Sequence, residues 1–90
     1  MYQKEVNIVN PTGIHARPAS QLVAKAGTYS SKITIRRADD TDDTECNAKS
    51  IIMLLALGLS QGERAILTAK GEDAEKAVKD LAEFIEGLKE

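Results

Sequence analysis

Apolar and polar positions switch between two rhythms along this chain. Residues 2–9 (YQKEVNIV) alternate, with Val6 and Ile8 on one face, and predict a strand. The next four residues, Asn10-Pro11-Thr12-Gly13, are dense in turn formers. Over 16–27 the period becomes helical: Ala19, Leu22, Val23 and Ala26 make one apolar stripe, and Gly27 stands where a helix stops. Residues 32–37 (KITIRR) return to alternation, with Ile33 and Ile35 on one face. An acidic stretch at 38–45 predicts a hairpin loop whose returning strand is 45–49. Ser50 has the chemistry of an N-cap for a short helix through Leu57, ended by Gly58. After a turn at Gln61-Gly62, residues 64–70 predict a fourth strand. Asp73 predicts the cap of a last helix, whose stripe is Ala74, Ala77, Val78, Leu81, Phe84, Ile85 and Leu88. The order is βαββαβα. Four strands in one sheet with the helices on one face give so short a chain a two-layer α+β core.

Length and composition narrow the function classes. The 90 residues predict one domain over 1–90. A domain of that size buries only roughly 60–65% of the surface its unfolded chain exposes. Such a core suits a binding module or a carrier better than an enzyme that encloses its substrate. A net charge of −2, with Tyr2, Tyr29 and Phe84 as the only aromatics, leaves no electrostatic or stacking basis for direct nucleic-acid binding. A lone cysteine, Cys46, has no partner for an internal disulfide, fits a reducing compartment and reads as a small free thiol. The N-terminus lacks the apolar run of a signal peptide, and the longest apolar run, Ile51–Leu57, is too short to cross a membrane. The expectation is a cytoplasmic protein of bacterial type, without membrane insertion.

The segment Thr12-Gly13-Ile14-His15-Ala16-Arg17-Pro18-Ala19 carries the chemistry. Gly13 permits an unusual backbone angle just before the helix, and Pro18 suits a first helical turn. That places His15, the only histidine, at or beside the N-cap. A helix N-terminus presents N–H groups without helical acceptors and a partial positive charge, which together receive anions. The same field favours the neutral, nucleophilic imidazole. Arg17, two residues on, has a planar guanidinium able to meet two phosphoryl oxygens at once. A nucleophile, an anion site and a cation thus fall within a few residues. The plain alternative is a histidine that only caps or decorates a helix, and local spacing does not by itself remove it.

GIHARPA at 13–19 closely resembles the active-site motif of the HPr family, the histidine-containing phosphocarriers of the bacterial phosphoenolpyruvate-dependent sugar phosphotransferase system. NAKSIIMLLALGLSQG at 47–62 resembles the family's second motif, and the GED turn at 71–73 and the final helix fit as well. The resemblance spans essentially the whole chain. It implies an HPr-like open-faced sandwich: a four-stranded antiparallel sheet with three helices on one face. It also implies that His15 accepts a phosphoryl group, on Nδ1 in the family, from the transferase Enzyme I and passes it to a histidine of a IIA protein. Arg17 would stabilise the transferring group, the backbone N–H of Ala16 would contact it, and Thr12 would add a hydroxyl. No cofactor or metal is implied, and the protein would be a carrier and not an enzyme.

A carrier must dock on two unlike partners. The run Ile51–Leu57 is too apolar all round for one face of a short helix, so part of it should be exposed. By position in the family, Ile51, Ile52 and Leu55 are the expected contacts, with Ser20 at the rim. Ser50 matches a position phosphorylated in many Gram-positive relatives by HPr kinase/phosphorylase, a modification tied to catabolite repression through a transcriptional regulator. A phosphate there is tolerated at a helix N-terminus and would set about two negative charges beside the docking patch. Competition for that patch implies a monomer.

The acidic stretch departs from the family. It is longer than the usual hairpin, and its five carboxylates in seven residues lack the glycine and terminal spacing of an EF-hand. A solvated hairpin is expected there, with no metal. The longer hairpin resembles the nitrogen-related branch, whereas the K-S-I and L-G-L elements resemble the sugar branch. Three other functions compete: a regulatory relative acting through partner binding, a ferredoxin-like interaction module in which His15 is incidental, and an enzyme using His15 as general base. No second catalytic group supports the last.

Overall fold

The sheet is built around its second-to-last chain segment. In the computed structural model, which describes residues 1–39 and 45–89, strand β4 (Arg64–Lys70) lies between β1 (Tyr2–Asn7) and β2 (Lys32–Arg37). The short β3 (Cys46–Asn47) forms the far edge, giving the order β1-β4-β2-β3 with every pair antiparallel. The register sets Val6 opposite Ala65, and Ile33 and Ile35 opposite Ala69 and Leu67. These residues are fully buried and line one face. The other face is polar: Gln3 donates to Thr68 Oγ1 at 3.1 Å, and Arg64 pairs with Asp39 at 2.8 Å. One wet and one dry face is what an antiparallel sheet with alternating residues permits.

Three helices cover the dry face: α1 (Ala16–Ala26), α2 (Ile51–Leu57) and α3 (Ala74–Glu86). All three contribute to the same core, with Leu22 and Ala26 from α1, Leu54 from α2, and Leu81 and Ile85 from α3, while Val23, Phe84 and Leu88 of the expected stripes are only partly buried. A fully buried Leu or Ile stabilises by about 1.5–3 kcal/mol. That matters most for α2, whose seven residues are too few to be helical alone. Leu54 anchors it, with half-buried Ile51 and Leu57 beside. No helix among the described residues is long and apolar enough to cross a membrane.

Three expectations need correction. The first strand ends at Asn7 rather than at 9, although Ile8 still accepts from Gly62 N at 2.8 Å. The third strand is two residues long, not the span 45–49. Asn47 stops it: its side chain accepts from Lys49 N at 2.9 Å and its carbonyl from Ser50 N at 3.0 Å, a turn that leads straight into α2. Asp73 occupies the N-cap of α3 without capping it. Its carboxylate instead accepts from Ser30 N at 2.9 Å and from the N–H and hydroxyl of Ser31, so it ties α3 to the segment entering β2. Those bonds, that from the Ser31 hydroxyl foremost, hold its carboxyl below the usual aspartate range. Of the expected acidic loop, residues 40–44 lie outside the described residues.

Candidate functional site

The turn before α1 is fixed from below. Pro11 and Thr12 sit inside a β-turn closed by Gly13 N donating to Asn10 O at 3.1 Å. Asn10 is buried and uses its amide to donate to Gly13 O at 2.8 Å and to Thr12 Oγ1 at 3.3 Å. Gly13 has φ +66, and a Cβ there would stand 2.3 Å from Leu59 O. Only glycine lets these two stretches of backbone lie so close. The next residue, Ile14, is fully buried and donates its N–H to Leu59 O at 2.9 Å. Ile14 and buried Ala19 take the positions of a hydrophobic staple across the start of α1.

His15 is the N-cap of α1, with extended backbone (φ −127, ψ 164), and its side chain makes no cap hydrogen bond. The imidazole is half-buried and available for other chemistry. Ala16 follows with φ +48, the one described non-glycine residue in the left-handed region. An L-residue pays about 1–2 kcal/mol for that conformation. Buried Ile14 on one side and buried Pro18 and Ala19 on the other leave Ala16 no freedom to relax. Backbone strain is therefore held at the residue next to the histidine.

Two helix ends meet at the ring. The N-terminus of α1 lies on its main-chain side. On the other is the C-terminus of α2, where Gly58 closes the helix in the left-handed conformation (φ 63, ψ 46) and donates to Leu54 O. A Cβ on Gly58 would stand 3.8 Å from His15 Cε1. The family resemblance implies that the helix 51–57 lies beside His15, and its C-terminal Gly58 does border the ring.

The other expected residues fall in three groups. Arg17 is exposed in the first turn of α1, Ser20 is exposed one turn later, and Thr12 is exposed in the preceding turn. Ser50 is the N-cap of α2 and accepts from Met53 N at 3.3 Å. On α2, Ile52 is 77% exposed and Leu55 43%, whereas Ile51 is half-buried against the core. Met53, absent from the expected contacts, is 40% exposed. Helical spacing from Leu54 accounts for all four, since 51 and 57 flank the buried stripe and 52, 53 and 55 fall outside it. Cys46 is buried, donates weakly to Met53 O at 3.5 Å, and burial pushes its thiol up, so it is not a ready nucleophile.

Two further residues join the site from the sheet. Arg37, at the end of β2, meets Glu63 through Nε at 2.5 Å and Nη2 at 3.2 Å, and donates from Nη2 to Gly58 O at 2.9 Å. Glu63 also accepts from Ser60 N at 2.6 Å. Arg37 first, and then the Ser60 N–H, hold the Glu63 carboxyl below its usual range against a burial effect of opposite sign. No local motif announces this pair. It forms because β2 and β4 are neighbours, with Arg37 opposite Ala65, two residues past Glu63. A hollow between α1 and α3, lined by Lys25, Asp80, Glu83, Phe84, Gly87 and Leu88, lies about 14 Å along α1 from the histidine end and takes no part.

Comparison with known proteins returns one family throughout. The family model described as "PTS HPr component phosphorylation site" matches residues 2–87. The phosphocarrier protein HPr of Borreliella burgdorferi is 44% identical over 90 residues, covering all of both chains. The crystal structure of HPr-C-His from Thermoanaerobacter tengcongensis superposes with a TM-score of 0.86 at 42% identity, covering 96% of this chain and 92% of that one. The Bacillus subtilis catabolite-repression protein Crh, solved as a swapped dimer, superposes with a TM-score of 0.71 at 35% identity, covering 94% and 93%.

Proposed function

Because the chain belongs to the HPr phosphocarrier family of the phosphotransferase system, we propose that it accepts a phosphoryl group on His15 from Enzyme I and passes it to IIA proteins for sugar uptake. The observation that carries this reading is the half-buried imidazole of His15, which does not cap its own helix and lies at the N-terminus of α1. In the transfer, the lone pair of a ring nitrogen attacks the phosphorus of the donor's phosphohistidine. The new N–P bond forms as the donor's N–P bond breaks, and that electron pair returns to the donor ring. The same exchange, run onward, loads the IIA protein. Such transfer needs in-line placement and charge compensation more than covalent machinery. The Ala16 N–H and the Arg17 guanidinium meet the phosphoryl oxygens, with Thr12 as a further hydroxyl contact.

Ile52 and Leu55 supply the apolar docking surface, Ile51 supports it from the core side, and Ser20 lies at its rim. The working unit is one cytoplasmic domain over residues 1–90, monomeric while the docking face is in use. Phosphorylation of Ser50 by HPr kinase/phosphorylase adds charge beside Ile52 and weakens docking on Enzyme I without unfolding α2. Ser50→Asp should slow His15 phosphorylation, and an unchanged rate refutes that regulation. The likeness to Crh favours a second reading, a regulatory protein that acts through a transcriptional regulator.

The test is incubation with phosphoenolpyruvate, Mg²⁺ and a bacterial Enzyme I, read by intact mass and a ³¹P spectrum. One acid-labile phosphoryl group, absent in His15→Ala, is the expected result. Transfer only from the nitrogen-branch transferase would assign that branch. Failure with both would leave the regulatory reading.

A further inference from the structure

The contacts of Arg37 form a closed circuit that ends at the histidine. Its guanidinium grips both oxygens of Glu63 and the carbonyl of Gly58, and Glu63 grips the N–H of Ser60. One ion pair therefore holds the 58–63 segment at three points. That segment is the seat of the His15 loop. Leu59 O takes the N–H of Ile14, Gly13 lies directly on the Leu59–Ser60 backbone, and Gly58 borders His15 Cε1. The segment has reason to need a clamp: it contains two left-handed glycines, Gly58 and Gly62, and Gly62 has nothing within 4 Å of where a Cβ would be. The pair is about one-third exposed, with side-chain accessibilities of 30% and 32%, so solvent screens it only in part.

We propose that Arg37 and Glu63 are positioning residues for phosphoryl transfer: they fix Gly58–Leu59 against residues 13–15 and so set the attitude of the His15 ring. Neither touches the transferring group in this account. Arg37 acts through the Gly58 carbonyl, and Glu63 acts by aligning Arg37 and by holding Ser60. The cation also compensates the carbonyl end of α2 through its bond to Gly58 O. The inference rests on His15 being the acceptor, and its test separates the two claims.

The variants are Arg37→Met, Arg37→Lys, Glu63→Gln and the exchange Arg37→Glu/Glu63→Arg. Each is assayed for transfer from phosphorylated Enzyme I and for the His15 Cε1–H resonance, a single line because the chain has one histidine. In Arg37→Met, kcat should fall about 10- to 100-fold, the scale of a misplacement near 1 Å. KM should stay within about twofold, since the α2 docking face is untouched. The Cε1–H line should shift. Arg37→Lys, which keeps one donor for the Gly58 carbonyl, should recover part of the rate. The exchange variant restores the ion pair and the thermal midpoint but sets a carboxylate against that carbonyl, so transfer should stay slow. A folded Arg37→Met with kcat within twofold of the parent and an unmoved Cε1–H line overturns the proposal. So does an exchange variant that transfers at the parent rate, which would reduce the pair to a staple. If the parent chain takes no phosphoryl group from either transferase, the carrier reading fails on its own, and the Cε1–H line still decides whether Arg37 orients the ring.

Discussion

Gly13→Ala puts the seat of the histidine under direct test. Two costs follow from the structure. The first is conformational: φ +66 suits glycine, and an alanine held there pays about 1–2 kcal/mol. The second is steric. The new Cβ would lie 2.3 Å from Leu59 O and 2.9 Å from Ser60 Cα. Both are backbone atoms, and Leu59 O is already committed to the N–H of buried Ile14 at 2.9 Å. The backbones must part, and a buried N–H that loses its acceptor costs about 1–3 kcal/mol. Alanine restrains the unfolded chain and returns about 0.4–1 kcal/mol. The net is a loss of about 1–5 kcal/mol, which in a domain of this size lowers the thermal midpoint by about 4–40 °C.

Gly62→Ala is the matched control. Its φ of +92 is equally foreign to alanine, yet nothing lies within 4 Å of the added methyl, so only the conformational cost of about 1 kcal/mol applies. Urea and thermal unfolding of both variants measure the difference. Gly13→Ala should also lose phosphoryl acceptance under conditions where it remains folded, because the parting backbones carry Gly58 away from His15. If the two variants are equally stable, the close approach of residue 13 to residues 59–60 is not what holds the loop, and the reasoning fails.

Other expectations follow from burial and charge. Leu54→Ala should cost about 2–5 kcal/mol by urea titration, whereas Ile52→Ala, at a position 77% exposed, should stay within about 0.5 kcal/mol and raise the KM for Enzyme I. Tyr29, pushed up to about 12 by burial and by its bond to Asp80, should show a phenolate titration there that vanishes in Tyr29→Phe. Its folded pKa lies above the unfolded 10.0, so that stabilisation is full below pH 10 and is lost as pH rises towards 12. Glu63, Asp73 and Asp80 are all depressed, so their contribution is present above their ordinary values of 4.5 and 3.8 and is lost as pH falls through the lower folded values. Asp73→Asn should flatten the acid limb of a urea-midpoint profile, and an unchanged limb would remove Asp73 from that account.

What the sequence made legible was whatever is written in neighbouring residues. The ends of α2 are marked chemically, Ser50 by a hydroxyl that accepts from Met53 and Gly58 by its left-handed backbone, and both bounds match expectation. The limits of β2 match because Ile33 and Ile35 alternate cleanly beside a central strand. The two-residue β3 falls short of the expected 45–49 because the Asn47 side chain opens a turn into α2, although Ala48 N still donates to Ile33 O at 3.0 Å. Asp73 was misread for a different reason. A cap is a local contact, but its carboxylate found better donors at Ser30 and Ser31, which only the fold brings near. At the candidate site, the placement of His15 at the start of α1, with Thr12 before it and Arg17 in the first turn, was readable from one motif. Arg37 and Glu63 were not, since 26 residues separate them and only the β2–β4 pairing joins them.

This division bears on how the described residues hold His15 in place. The motif at 13–19 supplies His15 and Arg17 but not their fixation, because a helix N-terminus next to a left-handed Ala16 has a conformational cost that something else must offset. The offset comes from outside the motif: Ile14 sunk in the core, Leu59 holding its N–H, and the Arg37–Glu63 pair holding the segment that carries Leu59. The same segment begins at Gly58, the C-cap of α2, the helix that exposes Ile52 and Leu55. The exposed apolar positions of α2 and the seat of His15 therefore lie on one short stretch of backbone. Were α2 the docking face, as we propose, a partner pressed on it would bear on the element that borders the ring.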